Sequence, residues 1–190
     1  MKGERRVAEL KQKYNGFEFK KFKQVYSSSE IYTLKKNGDV FYLKFCDKEK
    51  ITREINALNY LKTFKLCAEI IEYGDNFLIT REIAGKTLRE YGKNKDLFIN
   101  LYKEAADILH SVDIRDCKIF AAPSCGAPGS SRPTPPLTPH AFIHGDFYPV
   151  NIIVNNNKIN GFVDLWQSGI GGVNIDLDVM NLVIEKHFQL

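Results

Sequence analysis

The sequence predicts an α+β fold in two parts, an antiparallel sheet with one helix followed by a mainly helical region. Three observations carry that expectation. Short runs of β-branched and aromatic residues, broken by tight-turn residues, fill the first half. A helical apolar period interrupts them once, at Ile51, Ile55, Leu58 and Leu61. From Leu97 onward helical spacing dominates. With 190 residues, 44% hydrophobic and 26% charged, the chain can bury a core as one domain or two small lobes.

In order along the chain, Val7, Leu10 and Tyr14 recur at helical spacing. FEFKKFKQV, EIYTLKK and VFYLKFC then read as strands of a meander, the last two joined at Asn37-Gly38-Asp39, where Asn-Gly favours a tight hairpin. After the helix at 51–61, FLITREI reads as a strand behind the turn Tyr73-Gly74-Asp75-Asn76. Leu97, Leu101, Ala105, Ile108, Leu109 and Val112 line one face of a second long helix. NIIV and KINGFVD are short strands joined by Asn155-Asn156-Asn157, and Leu177, Met180, Leu182 and Val183 mark a last helix.

Residues 121–141 break this order. They hold six of the seven prolines and no Lys, Asn, Ile, Phe or Tyr, a composition that cannot build a core. Their Ala, Pro and Gly have GC-rich codons, whereas the rest of the chain favours residues with AT-rich ones, so the segment reads as a foreign, engineered or out-of-frame insert, with a natural flexible loop as the alternative. Cys46, Cys67, Cys117 and Cys125 form no C-x-x-C pair and no metal-ligand spacing with the histidines, and read as reduced thiols. No signal peptide or membrane-length run is present, so the expected location is cytoplasmic, with no membrane partner. The net charge of +4 is concentrated in the first segment, at Lys2, Arg5, Arg6, Lys11, Lys13, Lys20, Lys21 and Lys23. A solvated helix face and a lysine-protected edge strand account for it more simply than a nucleic-acid surface does.

The chemistry concentrates in FIHGDFYPVNIIV. Asp146 and Asn151 lie five residues apart, and Asp164 ends the next strand. Phosphoryl transfer needs a carboxylate to orient the attacking hydroxyl and take its proton, and oxygen ligands for the Mg²⁺ that neutralises the phosphates. Asp146 suits the first role; Asn151 and Asp164 suit the second. The kinase pattern H-R-D-x-x-x-x-N has the same spacing, with Gly145 here in place of the arginine. Upstream, Lys44 lies in the third strand and Glu54 in the helix after it, a pairing in which the glutamate positions a lysine that reaches the α- and β-phosphates. Because Glu54 precedes Ile55, it is expected at the boundary of the buried helix face.

This ordered set resembles the aminoglycoside phosphotransferase family of the protein-kinase-like superfamily, and most of all its 3′-phosphotransferases. The resemblance runs through VYSSSEIYTLKKNGDVFYLKF, REINALNYL, FLITREIAGKTL, INLYKEAADILHSVDIRDC, HGDFYPVNIIV and KINGFVDLWQSGIGGVNIDLDV, and HGD-x-x-x-x-N followed by G-F-x-D is its most specific part. It implies a two-lobe kinase-like fold, with a nucleotide-binding N-lobe at residues 1–83 and a shortened C-lobe at 84–190, and ATP (or GTP) with Mg²⁺ between them. It implies Asp146 as the catalytic residue, Lys44 held by Glu54 on the triphosphate, and Asn151 and Asp164 on the metal. Ser27, Ser28 and Ser29 fall in the loop that closes over the phosphates, with a plain turn as the equal alternative. Thr80, Glu82 and Ile83 fall in the interlobe hinge whose backbone meets adenine. Asp176 matches an aspartate with a structural role near the catalytic loop, and His144 a structural histidine. His110 reads as packing or capping, and Trp166, the only tryptophan, as packing near the ATP site or, more simply, as a core residue.

The departure from the family lies on the acceptor side. Helices that wall the antibiotic site are expected between IRDC and HGD, where the Pro-rich segment stands, and again after the last helix. The expected activity is transfer of a γ-phosphoryl to a hydroxyl of a small-molecule acceptor, an aminoglycoside by resemblance. The same motifs also fit a kinase for choline, a sugar or a macrolide, and a chain without the acceptor wall also fits an inactive or engineered kinase-like fragment. Apolar surface left uncovered on the C-lobe leads to the further expectation of a homo-oligomer formed through the last helix.

Overall fold

The computed structural model describes residues 2–22, 29–121 and 140–189. The expected lysine-rich start forms helix α1 (Lys2–Lys13), followed by strands β1 (Glu18–Phe22), β2 (Glu30–Lys36) and β3 (Asp39–Phe45). Helix α2 (Lys48–Leu61) comes next, then β4 (Ile70–Gly74) and β5 (Phe77–Arg81). These five strands form one antiparallel sheet in the order β1-β2-β3-β5-β4, so β1 with its lysines is an edge strand.

Turn chemistry explains the hairpins. Asn37 and Gly38 take φ of 52° and 89°, the left-handed pair a two-residue β2–β3 turn requires. Asn156 and Asn157, at φ of 50° and 58°, do the same further along, where asparagine tolerates the conformation. Strand β4 escaped the sequence reading because IIEYG alternates only weakly, and FLITREI is strand only to Arg81.

The sheet's two faces separate the cores. Alternate side chains of a strand face opposite ways. Leu43 and Phe45 of β3 and Phe77 and Ile79 of β5 therefore pack with Val7 and Leu10 of α1, while Leu78 joins the larger core around α2. Lys44, between Leu43 and Phe45, is thereby turned to the α2 side. Helix α2 is started by Asp47, whose side chain accepts from the Lys50 N–H at 2.9 Å. Its buried stripe is Ile51, Glu54, Ala57, Leu58 and Leu61. Glu54 is therefore in the middle of the buried face, not at its boundary, and Ile55 takes the half-buried position beside it.

The second half holds two long helices, α3 (Lys95–His110) and α4 (Asn174–Phe188), with short strands between them. Strands β6 (Lys86–Thr87), β8 (Ile152–Asn155) and β9 (Lys158–Phe162) form one small sheet; β7 (His140–Ile143) pairs antiparallel with β10 (Gly169–Gly172). Of the Pro-rich stretch at 121–141, residues 122–139 lie outside the described residues, as do Ser27, Ser28 and Cys125. Its two edges are ordered parts of the sheet: Ala121 N–H donates to Ile170 O at 3.1 Å, and His140 and Ala141 begin β7, with Ala141 buried. Strands β6, β7 and β10 escaped the sequence reading because each is two to four residues long, below the length at which alternation can be seen.

The main core gathers Leu88, Phe98, Leu101, Tyr102, Ala105, Leu109, Phe142, Phe147, Ile152 and Phe162, around the segment that carries Asp146. Phe98, Tyr102 and Ala106 add a second buried row to the α3 face expected from Leu97, Leu101 and Ala105. Cys46, Cys67 and Cys117 are free thiols. No helix of the described residues is long and apolar enough to cross a membrane.

Candidate active site

The alternation that turns Lys44 inward and the α2 stripe that buries Glu54 bring the two together. Lys44 Nζ donates to Glu54 Oε2 at 2.7 Å, and the side chains are 10% and 7% exposed. The same ammonium is hydrogen-bonded to Asp164 Oδ1. Asp164 is 34% exposed, so of the three it faces the open side of the site. Its backbone, two residues beyond β9 and just ahead of the 3-10 turn Leu165–Gln167, is left-handed, with φ 59° and ψ 53°. Burial alone works against the Lys44 ammonium, but the two carboxylates override it and hold its pKa above the ordinary lysine value. Glu54 is pushed up by burial, with Lys44 opposing and Asp164 reinforcing that shift.

Asp146 and Asn151 bracket a short 3-10 turn, Pro149–Asn151, whose geometry folds the carboxamide back onto the aspartate. Asn151 Nδ2 donates to the Asp146 carbonyl at 2.9 Å and to Asp146 Oδ2 at 3.1 Å. Burial pushes the Asp146 carboxyl above its ordinary range and Asp164 adds repulsion, while His144, Asn151 and Lys44 pull the other way. Lys44, Glu54, Asp146, Asn151 and Asp164, read from positions 120 residues apart at the extremes, are thus one cluster.

The loop that presents Asp146 is held from below. Asp176, fully buried on α4, accepts from the backbone N–H of His144 at 2.8 Å and of Gly145 at 2.9 Å, and pairs with His110 Nε2 at 3.1 Å. His144 is also fully buried. Its Nδ1 accepts from the Asp146 N–H at 3.3 Å, so Nε2 is the donor to Val163 O at 3.0 Å. That ring ties the Asp146 loop to the residue before Asp164, the work of a strut and not of a base. Tyr102 OH donates to Phe147 O from α3. Gly145 has φ 77°, and a Cβ there would stand 2.7 Å from Gln167 O, which explains why a glycine replaces the arginine of the kinase pattern.

Replacing Asp176 by alanine orphans three donors in the interior. At about 1–3 kcal/mol for each unsatisfied buried group, the expected loss is about 3 kcal/mol or more in urea denaturation. A midpoint near that of the parent would show that the loop is anchored elsewhere.

Asp164 and Asn151 fit Mg²⁺ by the chemistry of their donors. With Nδ2 committed to Asp146, Oδ1 is the atom Asn151 offers a cation, and the Lys44 ammonium on Asp164 marks a carboxylate already facing positive charge. Among the described residues no group of three or more His, Cys, Asp and Glu forms a metal cage. Phosphate oxygens would have to complete the coordination, as is usual for Mg²⁺ beside a nucleotide.

The remaining expected positions are spread along the sheet. Ser29 borders β2 and hydrogen-bonds the Cys46 thiol, one residue beyond β3. Thr80 is inside β5, opposite Tyr42, and is strand rather than linker. Glu82 donates its N–H to Val40 O at 3.0 Å and accepts from Tyr42 OH at 3.1 Å, so a base meeting this segment would use other backbone groups. Ile83 packs half-buried against the main core. Sequence reasoning missed Tyr102 and Arg53, whose side chains donate to Phe147 O and to Trp166 O and Phe120 O, and it read His110 as packing or capping without its aspartate partner. Tyr102 alone left a trace, as part of the second apolar row of α3.

Comparison with known proteins finds phosphotransferases. A model of a phosphotransferase enzyme family matches residues 127–180. An aminoglycoside 3′-phosphotransferase of Niallia circulans is 25% identical over 185 residues, covering 76% of this chain and 70% of that protein. A probable aminoglycoside 3′-phosphotransferase of Lactococcus lactis subsp. lactis is 24% identical over 195 residues, covering 81% and 74%. The crystal structure of a type VIII aminoglycoside-3′-phosphotransferase superposes with a TM-score of 0.74 at 19% identity, over 95% of this chain and 83% of that one. A macrolide 2′-phosphotransferase of Brachybacterium faecium superposes with a TM-score of 0.64 at 11% identity, over 97% and 81%. The fold is therefore the kinase-like one of these phosphotransferases, with an antiparallel sheet followed by helices.

Proposed function

Starting from a phosphotransferase enzyme similar to aminoglycoside 3′-phosphotransferases, we propose that this chain moves the γ-phosphoryl of ATP, or GTP, to a hydroxyl of an aminoglycoside. The observation that supports the reading best is the convergence of Lys44, Glu54 and Asp164 on one side with Asp146 and Asn151 on the other. Asp146 orients the acceptor hydroxyl and takes its proton at Oδ1 or Oδ2. Lys44, held by Glu54, binds the α- and β-phosphate oxygens; Asn151 and Asp164 hold Mg²⁺, which when bound draws off charge from the transferring phosphoryl group. Solved relatives carry such ligands, among them a streptomycin–ATP complex and a gentamicin complex of APH(2″)-IIa.

The test is a phosphate-transfer assay of the full chain with Mg-ATP across kanamycin-like aminoglycosides, a macrolide, choline and a sugar. Acceptor-dependent ADP release with the aminoglycosides alone is expected. Transfer confined to another acceptor would move the chain to that kinase class. No transfer to any of them would leave a silent kinase-like fragment as the better reading.

A further inference from the structure

Beside the cluster of Lys44, Glu54, Asp146, Asn151 and Asp164, the Arg53 side chain touches both the loop after Asp164 and the segment at 119–121. Arg53 stands on α2 next to Glu54 and points along the opposite flank of the Asp164 loop. Its Nε donates to Trp166 O at 2.9 Å and its Nη2 to Phe120 O at 2.7 Å. Trp166 is two residues beyond Asp164, and its ring lies under Lys50 Nζ at 4.9 Å from the centroid. Phe120 belongs to the short stretch that runs parallel to Ile170 at the start of β10. The loop between Asp164 and β10 has little room to move: a Cβ on Gly169 would lie 2.5 Å from the Phe120 carbonyl carbon.

A guanidinium is suited to this role. Its planar fork holds two acceptors at a fixed separation, and a charged donor makes the stronger class of hydrogen bond. Glu54 and Arg53, successive residues of one helix, therefore grip the Asp164 loop twice, through Lys44 on one side and through the Trp166 carbonyl on the other. We propose that Arg53 is a positioning residue that sets Asp164 for the metal and, through the same fork, ties the segment at 119–121 to the metal site. The proposal rests on the phosphotransferase reading and adds to it a residue that touches neither nucleotide nor acceptor. A left-handed Asp164 can swing its carboxylate if the backbone after it is loose; with Trp166 O pinned to α2, the carboxylate is delivered to one place.

Trp166 is the only tryptophan of the chain, so its emission reports this loop directly. At fixed ADP, Mg²⁺ titration of the full chain is expected to change Trp166 fluorescence saturably. In Arg53→Gln the half-saturating Mg²⁺ should rise roughly tenfold, since two charge-assisted bonds are lost. ADP binding in EDTA should change by no more than about twofold, as for a substitution remote from the nucleotide. Arg53→Lys, which keeps the charge but not the fork, should fall between the two. A purely structural arginine would lower the melting temperature of both variants without moving the Mg²⁺ dependence, and that result overturns the proposal. If Arg53→Gln does not fold, an unshifted Mg²⁺ titration of Arg53→Lys overturns it alone. Absence of any Mg-ADP response in the parent chain overturns the phosphotransferase reading itself, and the proposal with it.

Discussion

Asp146→Asn is expected to lower kcat by about 10²–10⁴-fold, the usual contribution of a positioned general base, and at the same time to raise the melting temperature at neutral pH. The two effects have one cause. Asp146 is pressed by burial and by the neighbouring Asp164, both of which disfavour its charge. Its pKa in the folded chain is therefore raised above the ordinary 3.8. A group with a raised folded pKa supplies stability that is complete below its unfolded pKa and is lost as the pH climbs through the folded value. At neutral pH the parent has lost that contribution, whereas asparagine, of the same shape and still able to accept from Asn151 Nδ2, never incurs the loss. The stability gain should thus be full at neutral pH, shrink as the pH falls through the raised pKa, and vanish below about 3.8. The same ionisation governs catalysis in the opposite sense. Asp146 takes a proton only as carboxylate, so the acid limb of kcat/KM should lie above the ordinary aspartate range. Turnover of Asp146→Asn within a few-fold of the parent would remove Asp146 from the chemistry, and unchanged stability would remove the electrostatic pressure inferred for it.

How legible this site was in the sequence differs residue by residue. Asp146 and Asn151 declare themselves because their partnership is local: five residues and a 3-10 turn bring them together. Lys44 could be placed because strand alternation fixes which face a residue takes, and Leu43 and Phe45 fix the other face. Glu54 was read one step off. Helical periodicity counts apolar residues, and a buried glutamate is invisible to it although it sits in register with Ile51, Leu58 and Leu61. Arg53 gave no signal at all, because its partners are a pair of backbone carbonyls, and His110 was read as packing or capping without its partner, an aspartate 66 residues away. The short strands β6, β7 and β10 were missed for a related reason: their pairing is decided by tertiary neighbours and not by their own composition.

Lys44→Met should separate the catalytic value of the ion pair from its cost in stability. Transfer is expected to fall by about 100-fold or more, the usual loss when one electrostatic contact to developing charge is removed. Stability should fall by about 3 kcal/mol, because Glu54, buried in the middle of the α2 stripe, keeps its carboxylate and loses its counter-ion. The pH dependence identifies the culprit. Burial already raises the Glu54 pKa, and removing Lys44 removes the main opposing influence, so the folded variant holds a proton on Glu54 to higher pH. A raised folded pKa means that stability is recovered as the pH falls, so the deficit of Lys44→Met should be greatest at neutral pH and narrow toward acid. Lys44→Met/Glu54→Leu removes both charges from the same pocket; it should regain most of the lost stability, since a buried ion pair replaced by apolar residues is often neutral or better. It should regain none of the activity. Were the double variant as unstable as Lys44→Met, the loss would not come from an uncompensated Glu54 carboxylate. Lys44 would then be held mainly by Asp164, and α2 would carry Glu54 for some purpose other than positioning that lysine.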